Sequence, residues 1–397
     1  MPTNHMSTKK ITVAQIRGDG LSDRETKTWE YFPEDIVQTV FAARKNVYAQ
    51  SVLPFPIITL PSSSDNFLLK NFYKYFFGQY KRMFGLEKKL AAFDVVHAGE
   101  LYNYYTYQAV LAKKLNKNLK VVATVWENSF GRFEYNYWPG FKMPPLYWRR
   151  QINQVMKDNA AGVDMFLPAT NDAAELLMDY GVEEKKIKVV IPGIIPAAAS
   201  HASVLPPELA GKEFYLVVNR LVKEKGVYDV LYGWRRFLSK TISPDQKVLV
   251  IVGDGPEREN MMRLVTEWGM TARIIFIRQL PYGEVLSLYK EAKCLILGSI
   301  PQSSWQEQFG YVLAEAICVG TPIIATYCGG IPEVVGKAGL LVPPAHPIAL
   351  SNALVALDNP KVYGELKAGC EFEKKKFAVE EYARQVADVY RFLANPS

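Results

Sequence analysis

Glu307-Gln308-Phe309-Gly310-Tyr311-Val312-Leu313-Ala314-Glu315 sets two carboxylates eight residues apart with a glycine between them. Just upstream, Cys294-Leu295-Ile296-Leu297 is a short apolar run that reads as a buried strand, followed by a polar loop from Ser299 to Gln306. Downstream, the spacing of Val312, Leu313, Ala316 and Ile317 predicts a helix. Glu307 is therefore expected on a loop at a strand's carboxyl end, and Glu315 inside the first turns of the next helix. Open α/β sheets bind ligands at that end of their strands. A helix amino terminus also offers free N–H groups to a phosphate. Two acids beside such an end suit a sugar nucleotide, because each carboxylate can accept from vicinal hydroxyls. Taken alone, the pair also fits two solvated surface acids, so the neighbouring sequence decides.

Working outward, Gly320 ends the helical pattern, Ile323–Ala325 reads as a buried strand, and Gly329-Gly330-Ile331-Pro332-Glu333 turns into another helix. Upstream, Tyr215–Val218 leads to Asn219-Arg220-Leu221-Val222-Lys223-Glu224-Lys225-Gly226, and Val248–Val252 leads to Gly253-Asp254-Gly255-Pro256. Further strands are expected at Ile274–Ile277 and Leu340–Val342. In the first half they are expected at Ile11–Ile16, Pro56–Leu60, Val95–His97, Val121–Val125, Met165–Leu167 and Ile187–Ile191. Buried strands alternating with amphipathic stretches imply parallel sheets covered on both faces. Residues 192–208, rich in Pro, Ala and Ser, mark the best boundary. Phe372 to Leu393 is expected to form one long amphipathic helix.

These motifs, in this order over residues 214–343, resemble the retaining glycosyltransferases of family 4; before residue 200 the likeness is loose. The resemblance implies a GT-B fold: two Rossmann-like domains facing across a cleft, with the C-terminal helix crossing back to the first. The implied division is 1–197 for an acceptor domain, 198–208 for a linker, 209–375 for a donor nucleotide-sugar domain and 376–397 for the crossover helix. Arg220 and Lys225 would stabilise a leaving diphosphate, a role that suits fixed cations at a strand's carboxyl end. Glu307 would hold the donor sugar and Glu315 the ribose. The N–H groups of Gly310, Tyr311 and Val312 would meet the distal phosphate. Gly253 and the loop Arg278-Gln279-Leu280-Pro281 would border the nucleotide, Gln279 and Leu280 holding the base through their backbone, although both stretches also fit plain turn chemistry.

Gly18-Asp19-Gly20 stands where the family carries a glycine pair near the phosphates. His97 falls at a strand end typical of the family, with Gly99 where many members have a second histidine. Trp126 replaces a histidine near the reacting carbon, so Glu127 becomes a candidate hydrogen-bond partner and Trp126 a sugar-stacking wall on the acceptor side. The implied activity is retaining transfer of a hexosyl group from a nucleotide-diphosphate sugar to a lipid-linked or glycan acceptor, with no cofactor and no metal. A sugar phosphorylase, a nucleotide-sugar hydrolase and a non-catalytic nucleotide-sugar binding protein remain as alternatives on the same scaffold.

Composition narrows the classes. The 397 residues suffice for two cores, and 49% hydrophobic with 22% charged residues excludes a disordered chain. Four cysteines without C-x-x-C spacing and four scattered histidines argue against zinc and for a reducing, cytoplasmic setting. A net charge of +7 favours anionic partners, but no nucleic-acid motif accompanies it. The polar start and the absence of an 18-residue apolar run predict neither leader nor span. Residues 66–90, NFLLKNFYKYFFGQYKRMFGLEKKL, interleave aromatics with cations. They read either as an interfacial helix on an anionic leaflet, making the protein peripheral to the membrane, or as a core-packed helix with a solvated basic face.

Overall fold

A computed structural model describes residues 10–20, 23–44, 54–77, 81–129, 145–195, 209, 211–241 and 243–395. The expected linker 198–208 lies outside them. The chain divides into two compact units: Met1–Ile195 together with Val379–Ser397, and Pro196–Ala378.

Unit 1 carries β1 (Ile11–Gly18), β2 (Ile36–Ala43), β3 (Ile57–Leu60), β4 (Val95–Gly99), β5 (Lys120–Val125) and β6 (Met165–Pro168). They form one sheet in the order β3-β2-β1-β4-β5-β6, with every neighbouring pair parallel. Unit 2 repeats this with β7 (Glu213–Val218), β8 (Lys247–Val252), β9 (Ile274–Ile277), β10 (Leu295–Leu297), β11 (Ile323–Thr326) and β12 (Gly339–Val342). Its order is β12-β11-β10-β7-β8-β9, again all parallel. In each sheet the order reverses once, between β1 and β4 or between β7 and β10. At such a point the connections leave to opposite faces, and their loops part to open a crevice.

The strands are near-continuous apolar runs because both faces are covered. β8 is buried at every residue, and Trp234 and Phe237 of helix Val227–Leu238 pack over Tyr215 of β7. In unit 1 the last helix, Val379–Ala394, closes a second core with Val386, Val389 and Tyr390 against Val13, Val95 and Val122. Tyr390 is also held by polar contacts: its hydroxyl meets His97 Nδ1 at 2.5 Å and accepts from Gln15 Nε2 at 3.2 Å. Beyond it, Gln15 donates to Gln38 at 3.1 Å and His97 Nε2 meets the Thr124 hydroxyl at 2.7 Å. Four neighbouring strands thus share one buried polar row. Arg391 adds a two-pronged contact to Asp35 at 2.8 and 2.7 Å.

Three expectations need correction. Ile36–Ala43 is a full strand that the apolar pattern missed, because buried Gln38 interrupts it. Ile187–Ile191 does not complete a strand. It runs beside β6 and donates from Lys188 and Val190 to the carbonyls of Phe166 and Pro168, but Pro168 has no N–H to return. The single helix expected over Phe372–Leu393 is two helices, Pro360–Glu373 and Val379–Ala394, parted by a tight turn and an extended Ala378. Residues 66–90 likewise divide. Helix Phe67–Phe77 leaves Phe67, Leu68, Leu69 and Phe72 exposed, whereas Met83, Leu86 and Leu90 are buried in the core.

Candidate functional site: the switch point of unit 2

The loop after β7 and the loop after β10 flank the reversal of strand order in unit 2. They are stitched together by Ile300 N–H donating to Glu224 O at 2.8 Å. The first loop tightens into the turn Lys223–Lys225, and Gly226 starts helix Val227–Leu238. The second carries Ser299 to Gly310 and runs into helix Tyr311–Cys318.

Lys225 and Glu307, 82 positions apart, meet here. Lys225 Nζ lies 2.6 Å from Glu307 Oε2, with only 14% and 11% of the two side chains exposed. The Ser299 hydroxyl donates to the same oxygen at 2.7 Å. The Glu307 backbone is fixed as well, its carbonyl accepting from Gly330 N–H at 2.9 Å and its N–H facing Cys328 Sγ at 3.5 Å. Burial raises the Cys328 thiol above its ordinary pKa, so it contributes bulk and a weak acceptor rather than a thiolate.

Gly310 is the residue before the first helical turn, with φ +77° and ψ 62°. A β-carbon there would come 2.9 Å from the Leu313 side chain, so both backbone and space call for glycine. Tyr311 and Val312 open the helix, half-buried. Glu315 is fully buried, with the Tyr289 hydroxyl donating to it at 3.3 Å. Arg220 differs from Lys225: its side chain is 71% exposed and comes no nearer than 4.0 Å to the Glu224 carboxylate. Gly253 follows β8, and Gln279 and Leu280 follow β9, Gln279 exposed and Leu280 half-buried. An Arg278–Asp254 pair at 3.5 Å joins those two loops.

The remaining sequence-predicted residues belong to the switch point of unit 1. Gly18 ends β1 with φ +51°, and the ring of Tyr105 occupies the space that a side chain there would need. His97 is enclosed. Its two nitrogens hold Tyr390 and Thr124, and burial, with a further push from Arg17, keeps its pKa well below 6.5. Trp126 is half-buried, and its backbone N–H donates to the Glu100 carboxylate at 3.1 Å; Glu127 is buried.

Sequence reasoning did not find Ser299, Cys328, Tyr289 or Trp305. Trp305, two residues before Glu307, lays its ring under the Lys225 ammonium with 4.8 Å between Nζ and the centroid. An aromatic side chain in a polar loop beside the acid was the available signal.

The description "Glycosyl transferases group 1" matches residues 206–365, which hold every residue of this site. That segment is similar to the group 1 glycosyltransferases. The 2-deoxystreptamine glucosyltransferase of Streptomyces kanamyceticus is 30% identical over 242 residues, 56% of this chain and 58% of that protein. The chain thus spans somewhat over half the length of this curated relative. Among solved structures, sucrose-phosphate synthase from Thermosynechococcus elongatus superposes with a TM-score of 0.71 at 19% identity, covering 97% of this chain and 99% of that one. Anabaena HepE in complex with UDP and glucose gives 0.68 at 15%, covering 96% and 99%. The two parallel, doubly wound sheets are those of the GT-B glycosyltransferases.

Proposed function

We propose that this chain is a retaining glycosyltransferase of family 4 that moves a hexosyl group from a nucleotide-diphosphate sugar to a lipid-linked or glycan acceptor. The observation that carries the reading is the Lys225–Glu307 contact at the unit 2 switch point, beside the amino end of helix Tyr311–Cys318. A cation for a diphosphate and an acid for sugar hydroxyls stand where an incoming donor would separate them. UDP in the Anabaena HepE structure supports a nucleotide-sugar donor, and the glucosyltransferase and glycosyltransferase names of the relatives support sugar transfer.

In the proposed reaction the bond from the anomeric carbon to the diphosphate oxygen breaks, and the acceptor oxygen joins the same face of the sugar. The acceptor's proton passes to the leaving phosphate oxygen. Lys225, Arg220 and the N–H groups of Gly310, Tyr311 and Val312 take up the charge that develops. Glu307 orients the sugar and Glu315 the ribose. Gly253, Gln279 and Leu280 are assigned to the base, and Gly18 to the phosphates. His97, Trp126 and Glu127 lie on the acceptor side, with the His97 ring acting through its neighbours. No metal or cofactor is called for. The exposed Phe67, Leu68, Leu69 and Phe72 support a cytoplasmic enzyme that works peripherally at an anionic membrane.

A thermal-shift panel of UDP, GDP, ADP and dTDP sugars tests the donor assignment, because a ligand bound only by the native state raises the midpoint. One sugar nucleotide is expected to do so, and its turnover with a sugar acceptor should keep the anomeric configuration by NMR. No shift with any of them, turnover only with phosphate or water, or an inverted product would overturn the reading.

A further inference from the structure

We infer that Trp305 is a positioning residue for Lys225: its ring fixes the ammonium while the carboxylate partner of that ammonium changes. The inference rests on the proposed role of Lys225 in binding the donor diphosphate. The Lys225 side chain is nearly enclosed, and its charged end meets Glu307 Oε2 at 2.6 Å and the Trp305 ring at 4.8 Å. They are unequal in kind. Glu307 is also wanted by the sugar and holds the Ser299 hydroxyl on the same oxygen at 2.7 Å. Trp305 carries no charge, and its loop is pinched by Gln302 N–H donating to Trp305 O at 2.7 Å. An ammonium has three donors. A phosphate oxygen and the carboxylate can share them in turn, while the negative face of the indole attracts the charge throughout. When a donor draws Glu307 toward its hydroxyls, the ring is the contact that stays. Without it the freed ammonium, on a four-carbon stem, would sample many rotamers and meet the diphosphate less often.

This assigns Trp305 a duty that turn packing alone does not require. An apolar side chain would fill the same space, but only an aromatic face holds a cation, indole best and benzene less well. The test uses the full chain and whichever of UDP, GDP, ADP and dTDP binds it most tightly, titrated by calorimetry, with kcat and KM measured for the corresponding sugar nucleotide. Trp305→Leu should weaken diphosphate binding about tenfold and lower kcat at saturating donor, whereas Trp305→Phe should lose less than about threefold. In a Lys225→Ala background, Trp305→Leu should change binding by less than about twofold, because an effect exerted through Lys225 has nothing left to act on. Wild-type behaviour of Trp305→Leu overturns the inference, and so does an equal loss with and without Lys225. If Trp305→Leu does not fold, Trp305→Gln, which also lacks a ring, reads the same cycle. Should Lys225→Ala alone bind the diphosphate like wild type, the proposed function fails instead, and the two failures are told apart.

Discussion

Lys225 and Glu307 each need the other in the absence of ligand, and this sets what their loss does. Lys225→Ala takes the ammonium away from a nearly enclosed carboxylate oxygen that the Ser299 hydroxyl also holds. Leaving such a group without its partner costs about 1–3 kcal/mol, so the thermal midpoint should fall. kcat/KM should fall about 10²-fold or more, as when one transition-state donor is removed. Glu307→Gln keeps an acceptor for Lys225 and Ser299, so it should fold normally yet transfer poorly while binding the free diphosphate well. Glu315→Gln should instead weaken that binding. Equal weakening by both variants would reverse the assigned roles. Arg220→Ala, at an exposed side chain paired only loosely with Glu224, should leave the midpoint unchanged and lower kcat/KM alone. A second residue-scale expectation concerns His97. The unfolded ring, near 6.5, takes up a proton that the buried ring refuses. Stability is therefore complete above about pH 6.5 and declines below it, by at most about 1.4 kcal/mol per pH unit, until the folded ring itself titrates. The groups facing the ring are the Tyr390 and Thr124 hydroxyls and the Arg17 charge, with Gln15 one contact away through Tyr390. The drop in midpoint between about pH 7.5 and pH 5.5 should be larger for wild type than for His97→Gln; equal drops would remove the assignment. The acids and the glycine of the site were legible because a strand, a loop and a helix follow one another within twenty-odd positions. Trp305 was not, because its partner Lys225 lies eighty residues away and the parallel pairing of β7 with β10 brings the two loops together; Ser299 was not, because a serine in a polar loop looks solvated until its carboxylate partner Glu307 is seen.

At the scale of elements, what the sequence hid was mostly polar burial. Gln38 sits inside β2 with its amide donating to Trp29 O at 2.9 Å, and a buried glutamine is indistinguishable from a surface one until its partners are known. The twelve strands of the two sheets were otherwise expected, save β2, since parallel strands covered on both faces announce themselves as apolar runs. Residues 66–90 combine two fates that composition merges. After helix Phe67–Phe77, Ser62 pairs with Met83 and the chain turns inward to Leu86 and Leu90. The helix itself exposes 75% of both Phe67 and Leu68, a cost that a lipid surface would remove. Phe67→Ser/Leu68→Ser should therefore keep the midpoint but lose co-sedimentation with phosphatidylserine vesicles, and raising the salt should loosen the wild type, since each nearby cation contributes on the order of 1 kcal/mol. Wild-type protein that stays in the supernatant at low salt would exclude the membrane role and favour a soluble glycan acceptor.

At the scale of the whole molecule, unit 2 is one continuous stretch, whereas unit 1 is assembled from both sides of it. A piece covering residues 206–378 should fold alone, melt cooperatively and retain nucleoside diphosphate binding. A chain stopped after Ala378 should lose unit 1, because Ile11, Val13, Val95, Val122 and Leu167 would lose the cover of Val386, Val389 and Tyr390, and Gln15 and His97 would lose the Tyr390 hydroxyl. Limited proteolysis of the shortened chain should leave a fragment of unit 2 only; survival of both units would show that the last helix is dispensable.

The helix Val379–Ala394 also imposes a timetable. The first sheet leaves the ribosome early, yet the segment that seals it follows only after the 183 residues from Pro196 to Ala378. At about 5–20 residues per second, translation leaves that apolar face open for roughly 10–40 s. A nascent chain in that interval presents a surface that holding chaperones recognise, and a prematurely released one presents it permanently. A polypeptide synthesised through Val379–Ala394 can cover that face with its own helix.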